Sequence, residues 1–320
     1  MDPTTIASAL VPTALLIGFG ALLRRQGGFG EPFWSGVEGL TYNFLLPALF
    51  VVTLARADFG SVQVGALALV LAGTTLVGAT VTTLLHRLAT DDGPAFTSVF
   101  QGAIRFNNYV GLVIASALYG QQGVALAAFA NAVMVPIVNV LSTFVLARHG
   151  TAEMRGLGVV KAIATNPLVL ACLIGLGLNL LREPTAPLLA GHLVASVVGV
   201  AASTLTILGQ AALPIGLLCV GSGLRRPEGG GQARPITVST VIRLVVMPAT
   251  ALALAHLVGL RGEAAVVALV FLALPTASSA YVLARRLGGD APLMASITAV
   301  QTGLALATVP LWMLLGQALA

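Results

Sequence analysis

Apolar residues run along the chain in long blocks, and the polar positions gather between them. A membrane helix needs about 20 mostly apolar residues. Counting such runs between charges and Gly/Pro breaks gives ten: 4–23, 36–55, 62–86, 95–119, 122–147, 165–181, 190–223, 236–259, 263–286 and 291–318. The linkers are short, the longest polar ones running from His149 to Thr165 and from Arg225 to Arg234. The pattern predicts an all-α integral membrane protein with ten transmembrane helices. Composition sharpens this: 57% of residues are hydrophobic and 8% charged, where a soluble domain carries about 25% charged residues. The net charge of +5 does not point to nucleic acid, because the basic residues are scattered between apolar runs, as loop anchors are. Membrane lipid is the expected surrounding partner. Met1–Arg25 has its acid before the apolar run and its arginines after it, the reverse of a cleavable signal peptide, and is read as the first span. Cys172 and Cys219 lie inside apolar runs and read as packing residues.

Orientation follows from Lys and Arg. With the N-terminus outside, the cytoplasmic loops hold eleven: Arg24, Arg25, Arg87, Arg148, Arg155, Lys161, Arg225, Arg226, Arg234, Arg285 and Arg286. The outside loops hold three, Arg56, Arg182 and Arg261, and two more, Arg105 and Arg243, fall inside spans. The expectation is a multi-pass protein of the cytoplasmic membrane with both termini outside.

The two halves repeat. Leu46-Pro47 in span two matches Leu213-Pro214 in span seven at an offset of 167, and the same offset carries Asn107 and Asn108 onto Leu274 and Pro275. Ile17-Gly-Phe-Gly20 and Ile174-Gly-Leu-Gly177 match at 157, a difference that one loop length reconciles. Five spans per half is odd, so the second half must lie inverted. The expected organisation is a first five-helix repeat over 1–147, a cytoplasmic linker over 148–164 and a second, inverted repeat over 165–320. Inverted repeats with paired interrupted helices mark transporters, whose site lies where the interruptions meet.

The first interruption is Gln101-Gly-Ala-Ile-Arg-Phe-Asn-Asn-Tyr-Val-Gly111, polar where lipid would demand Leu and Val. Such groups are tolerated at depth only against protein or a water-filled cavity. The second is Pro275, which removes a backbone donor and breaks span nine; Thr276, Ser278 and Ser279 follow and can cap the next half-helix, as Asn107 or Asn108 can in span four. Two partly positive half-helix N-termini facing each other make an anion site. Each break can also be read as a plain kink relieved by polar neighbours. Arg105, roughly 14 Å deep at the helical rise, either binds a carboxylate or bonds free carbonyls at a half-helix end. Arg243 starts nearer the cytoplasmic face and reads as a snorkelling residue. Asn43, one turn before Pro47, is either a ligand or an interhelical bond; Asn131, Asn139 and Gln301 read as the latter.

All eleven Asp and Glu fall in loops or at span ends, which argues against a carboxylate proton relay or sodium site. No metal, cofactor or catalytic set is expected; the pair Asp91-Asp92 is a solvated turn, and an enzyme is disfavoured. No phosphate-binding Gly-x-x-x-x-Gly-Lys-[Ser/Thr] motif is present.

These motifs together resemble the auxin efflux carrier family, which includes plant auxin exporters and bacterial malonate and malate permeases. The resemblance rests on Tyr42-Asn-Phe-Leu-Leu-Pro47, Arg105-Phe-Asn-Asn-Tyr-Val-Gly-Leu, Asn166-Pro167-Leu-Val-Leu, the run from Leu213-Pro214 to Leu224, and Leu274-Pro275-Thr-Ala-Ser-Ser-Ala-Tyr. It covers all ten spans. The family's proline after the span-four break is absent; this chain has Gly111-Leu-Val-Ile. The resemblance implies a sodium/proton-antiporter-like (bile acid symporter-like) fold with broken helices four and nine crossing. It implies a scaffold of spans one, two, six and seven, which can also form a homodimer, and a core of the rest. It implies alternating-access transport of a small organic anion, with Arg105, Asn107, Asn108, Pro275, Thr276, Ser278 and Asn43 as substrate-binding residues. A sodium-coupled organic anion symporter of the bile acid type is the alternative.

Overall fold

The structure is a computed structural model that describes residues 3–26, 28–60, 62–151, 165–185, 192–224, 232–277 and 279–316. Ser278 and most of the expected linker, 152–164, lie outside the described residues. The fold is all-α, with no strand among the described residues. The main helices in chain order are α1 Pro3–Gln26, α2 Glu31–Arg56, α3 Val64–Leu84, α4 Gly93–Ile104, α5 Asn108–His149, α6 Pro167–Thr185, α7 His192–Ser222, α8 Ala233–Val258, α9 Gly262–Ala273, α10 Ser279–Leu287 and α11 Ala291–Leu315.

Among the described residues, six helical stretches are long and apolar enough to cross a membrane: Glu31–Arg56, Val64–Leu84, Gly93–His149, Ser196–Ser222, Ala233–Val258 and Ala291–Leu315. Pro167–Leu181 and Gly262–Ala273 are shorter apolar helices. The predicted fourth and fifth runs fall in one stretch because α4 and α5 follow closely, and α5 itself bends at Gly120, whose φ of 55° is open to glycine at no steric cost. Large apolar side chains such as Leu15, Phe44, Leu84, Phe144, Val200 and Leu257 point outward, as a surface solvated by lipid requires.

Two prolines shape the helices they interrupt. Pro47 and Pro248 each follow one wide, π-helical turn, at Thr41–Leu45 and Ile242–Val246. Proline at position i leaves the carbonyl of i−4 without its helical donor. For Pro248 that carbonyl is Leu244, and the Trp312 indole Nε1–H donates to it at 2.8 Å from α11.

The helices sort by packing into two groups. α1 lies along α7 and α2 along α6, with α7 also against α2. The second group joins α3 to α8, and α4, α5, α9 and α11 to one another. Small residues let α1 and α7 touch: a Cβ on Gly20 would meet the Leu218 carbonyl at 2.2 Å, and one on Gly221 would meet that of Ile17 at 1.9 Å. Close backbone approach of this kind is how helices associate where lipid supplies no hydrophobic drive. Cys172 and Cys219 are buried and free.

Candidate functional site

Both expected interruptions are present, and they meet. α4 ends at Ile104, Arg105 turns extended (φ −76°, ψ 155°), and Asn107 caps α5, its side-chain oxygen accepting from Val110 N–H at 3.4 Å. α9 ends at Ala273, Leu274 turns extended (φ −63°, ψ 151°), and α10 begins at Ser279. Asn107 N–H donates to the Pro275 carbonyl at 2.9 Å, joining one break to the other by backbone alone.

Amides from neighbouring helices complete the crossing. Gln301 of α11 accepts Thr276 N–H on its Oε1 at 2.9 Å and donates from Nε2 to the Gly102 carbonyl at 3.1 Å. Thr276 Oγ1 donates to the Gln101 carbonyl at 3.5 Å, and Ser239 Oγ to that of Val99 at 3.1 Å. Gln101, Thr276, Ser239 and Gln301 are completely buried. This use of Gln301 agrees with its reading as an interhelical amide.

Arg243 corrects its reading as a snorkelling residue. It is completely buried, and its guanidinium donates to the carbonyls of Leu274, at 2.5 Å, and Phe271, at 2.8 Å. Phe271 is four residues before Pro275, so its carbonyl is the one that proline strips of a helical donor. Arg243 therefore supplies the C-terminal cap of α9, with charge matched to the negative helix end. Depth from the end of an apolar run gives no facing direction, and its partners are 28 and 31 residues away in sequence.

Arg105 does something else. Its Nη1 donates to Asn139 Oδ1 at 3.1 Å, and its Nε is buried without a hydrogen-bond partner. It borders a cavity of about 540 Å³, also lined by Glu38, Tyr42, Asn43, Asn139, Asn166 and Ser279. A small adjoining pocket of about 40 Å³ brings Asn108 beside Arg105, Asn139 and Ser279. Asn43 faces the cavity and spends its amide N–H on Gly39 of its own helix, at 2.8 Å. Of the other expected residues, Asn107 and Thr276 are buried in the crossing, and Pro275 faces a separate 50 Å³ apolar pocket beside α1 and α11.

Three lining groups escaped the sequence reading. Asn166 caps α6 through Leu168 N–H at 3.0 Å and donates to the Tyr42 hydroxyl at 3.1 Å; the Asn-Pro pair was a legible helix start, but its partner 124 residues away was not. Asn139, read as an interhelical amide, is the partner of Arg105. Glu38 corrects the placement of every carboxylate at a span end or in a loop. α2 starts at Glu31, five residues before the predicted run, so Glu38 lies inside a helix and on the cavity wall.

An all-helical membrane protein with a polar cavity beside two joined helix breaks has the form of a membrane transporter. A family model described as "Membrane transport protein" matches residues 154–313, half of the chain. Over 313 residues, 96% of each chain, the sequence is 25% identical to a protein of Methanothermobacter thermautotrophicus (strain Delta H) described as an uncharacterized transporter. The chain belongs to this membrane transport family, the auxin efflux carriers.

Proposed function

We propose that this protein is a secondary transporter that moves a small organic carboxylate across the cytoplasmic membrane by alternating access. The observation that carries the reading is Arg105: a guanidinium in the break of α4 and α5, on a polar cavity, with one donor on Asn139 and a second without a partner. A carboxylate is the group that fills such a fork. In this reading Arg105 binds the anion, and Asn43 and Asn108 reach it from two sides. Asn107, Pro275 and Thr276 hold the break in shape, and Ser278 joins them by its position after Pro275.

The same reading takes the chain as ten membrane helices in two inverted repeats, 1–147 and 165–320, with linker 148–164 on the cytoplasmic side and both termini outside. The α4–α5 and α9–α10 pairs are its broken, crossing helices, in a sodium/proton-antiporter-like fold. Two packing groups, α1, α2, α6 and α7 against the rest, suit a scaffold and a moving core. In that orientation the cavity faces the cytoplasm, since Thr165 and Asn166 on its wall adjoin the linker that carries Arg148, Arg155 and Lys161.

Uptake of radiolabelled dicarboxylates and aromatic acids into proteoliposomes tests this. Asn108→Ala should abolish transport of the cargo with the melting temperature kept; full activity in that variant sinks the assignment. A second reading, coupling to a cation, rests on Glu38 in the same cavity. If Glu38 carries the coupling ion, Glu38→Gln transports down the anion gradient but no longer responds to an imposed proton or sodium gradient.

A further inference from the structure

A second cavity, of about 600 Å³, lies on the outer flank of the second packing group, between α3, α4 and the end of α5. Its walls are Leu76, Ala79, Leu84, Phe100, Leu141 and Phe144. Leu76, Leu84 and Phe144 are 50%, 78% and 61% exposed, so the groove opens sideways onto the membrane rather than into the protein. Thr80 and Thr83 also line it, but each spends its hydroxyl hydrogen on its own helix, at the carbonyls of Leu76 and Ala79. The walls are thus apolar in effect.

One end of the groove is different. His86, Arg148 and His149 meet there, at the ends of α3 and α5. The His86 ring stacks on Phe96 with centroids 3.8 Å apart, and His149 stands edge-on to both at 5.2 Å. His86 Nε2 is buried without a hydrogen-bond partner. Among the described residues no carboxylate lines the groove; of the nearby acids, Asp92 turns its Oδ2 to cap Ala95 N–H at 2.8 Å. An apolar trough open to the bilayer, ending in one permanent cation and two imidazoles with no counter-charge among the described residues, is complementary to a molecule with an acyl chain and an anionic head.

We propose that this groove is a binding site for an anionic phospholipid, its phosphate held by Arg148, His86 and His149 and one acyl chain laid along α3 and the end of α5. Phosphate accepts from a guanidinium and from imidazole N–H groups alike, and pairing of an anionic head with basic residues at the membrane surface is a recurrent mode of lipid recognition. The site is separate from the Arg105 cavity and does not depend on which anion is transported.

Native mass spectrometry of the purified protein in neutral detergent, with dioleoyl phosphatidylglycerol or dioleoyl phosphatidylcholine added, tests the proposal. Phosphatidylglycerol should be retained in preference and should raise the melting temperature, and inorganic phosphate alone should do neither. The R148Q/H149Q variant should bind phosphatidylglycerol at least about fivefold more weakly, the scale of one lost cation at a membrane surface. Arg56→Gln, at the far end of α2, should bind as the native protein does. Thr80→Trp fills the trough from an exposed position that tolerates size, and should lose the lipid while the protein stays folded. Equal retention of the two lipids, stabilisation by free phosphate, or native-like binding in both groove variants would each overturn the proposal.

Discussion

Asn107 and Pro275 belong to different interrupted helices, and the amide of one donates to the carbonyl of the other at 2.9 Å. Neither side chain takes part. The bond exists because the backbone is extended at Asn107, a helix cap, and at Leu274, just before the helix breaker Pro275, so the two breaks leave peptide groups free to pair. Pro275→Ala removes the reason for the second break. The new N–H at 275 can donate to the Phe271 carbonyl in competition with Arg243 and draw α9 onward as helix. The expected outcome is a protein whose stability is unchanged or higher by about 1 kcal/mol and whose uptake is clearly lower. Parallel melting and proteoliposome assays check this, and unimpaired uptake would show that the break has no functional part.

Arg243 predicts the opposite balance. Arg243→Leu leaves two buried carbonyls, Phe271 and Leu274, without a donor. Each such group costs about 1–3 kcal/mol in a dry interior. The variant should melt well below the native protein whatever the ligand, and Arg243→Lys should recover only part of the loss, because one ammonium replaces a planar fork. A native melting temperature in the leucine variant would remove Arg243 from the frame.

Gly111 marks where the chain departs from the family's proline. A Cβ there would sit 2.8 Å from Leu274 Cδ1 and 2.9 Å from the Phe271 ring. Gly111→Ala should therefore overpack the contact of α5 with α9 and cost about 1–3 kcal/mol. Thermal unfolding of the single variant is sufficient; a stabilised protein would contradict the packing.

Arg105 is expected to act on affinity before anything else. Arg105→Ala removes a charge-assisted bond worth about 1.5–3 kcal/mol, which is about a ten- to hundredfold rise in KM for the anion. Arg105→Lys should fall between, since a single ammonium cannot serve both Asn139 and a carboxylate in one plane. Concentration-dependent uptake separates this from a folding defect, which would lower the maximal rate instead.

The interruptions were legible in the chain because they are local chemical anomalies: a proline, two asparagines and an arginine inside apolar runs need no partner to be seen. Their meeting was legible only as a shared offset between halves, and the offset does not name the bond. What closes the crossing was hidden. Gln301 reaches Gly102 across 199 residues and Arg243 reaches Leu274 across 31, and one amide or arginine in an apolar run looks like any other until its facing is known. Glu38 was missed for another reason. The predicted run begins at residue 36, which puts Glu38 in its first turn and makes its carboxylate read as a span end, whereas the helix itself begins at Glu31. Asn139, in turn, read as an interhelical amide, which its bond to Arg105 is, but the cavity it shares with Arg105 could not be seen from spacing.

The polar residues at the crossing of the two breaks are shut away from the cavity. Gln301, Gln101, Thr276 and Ser239 have no exposed surface, while Tyr42, Asn43, Asn139 and Ser279 line the space a cargo would occupy. Shape and taste are thereby written in different residues. A lineage could exchange the second set one position at a time, trading one acid for another, without loosening the knot that the first set holds closed.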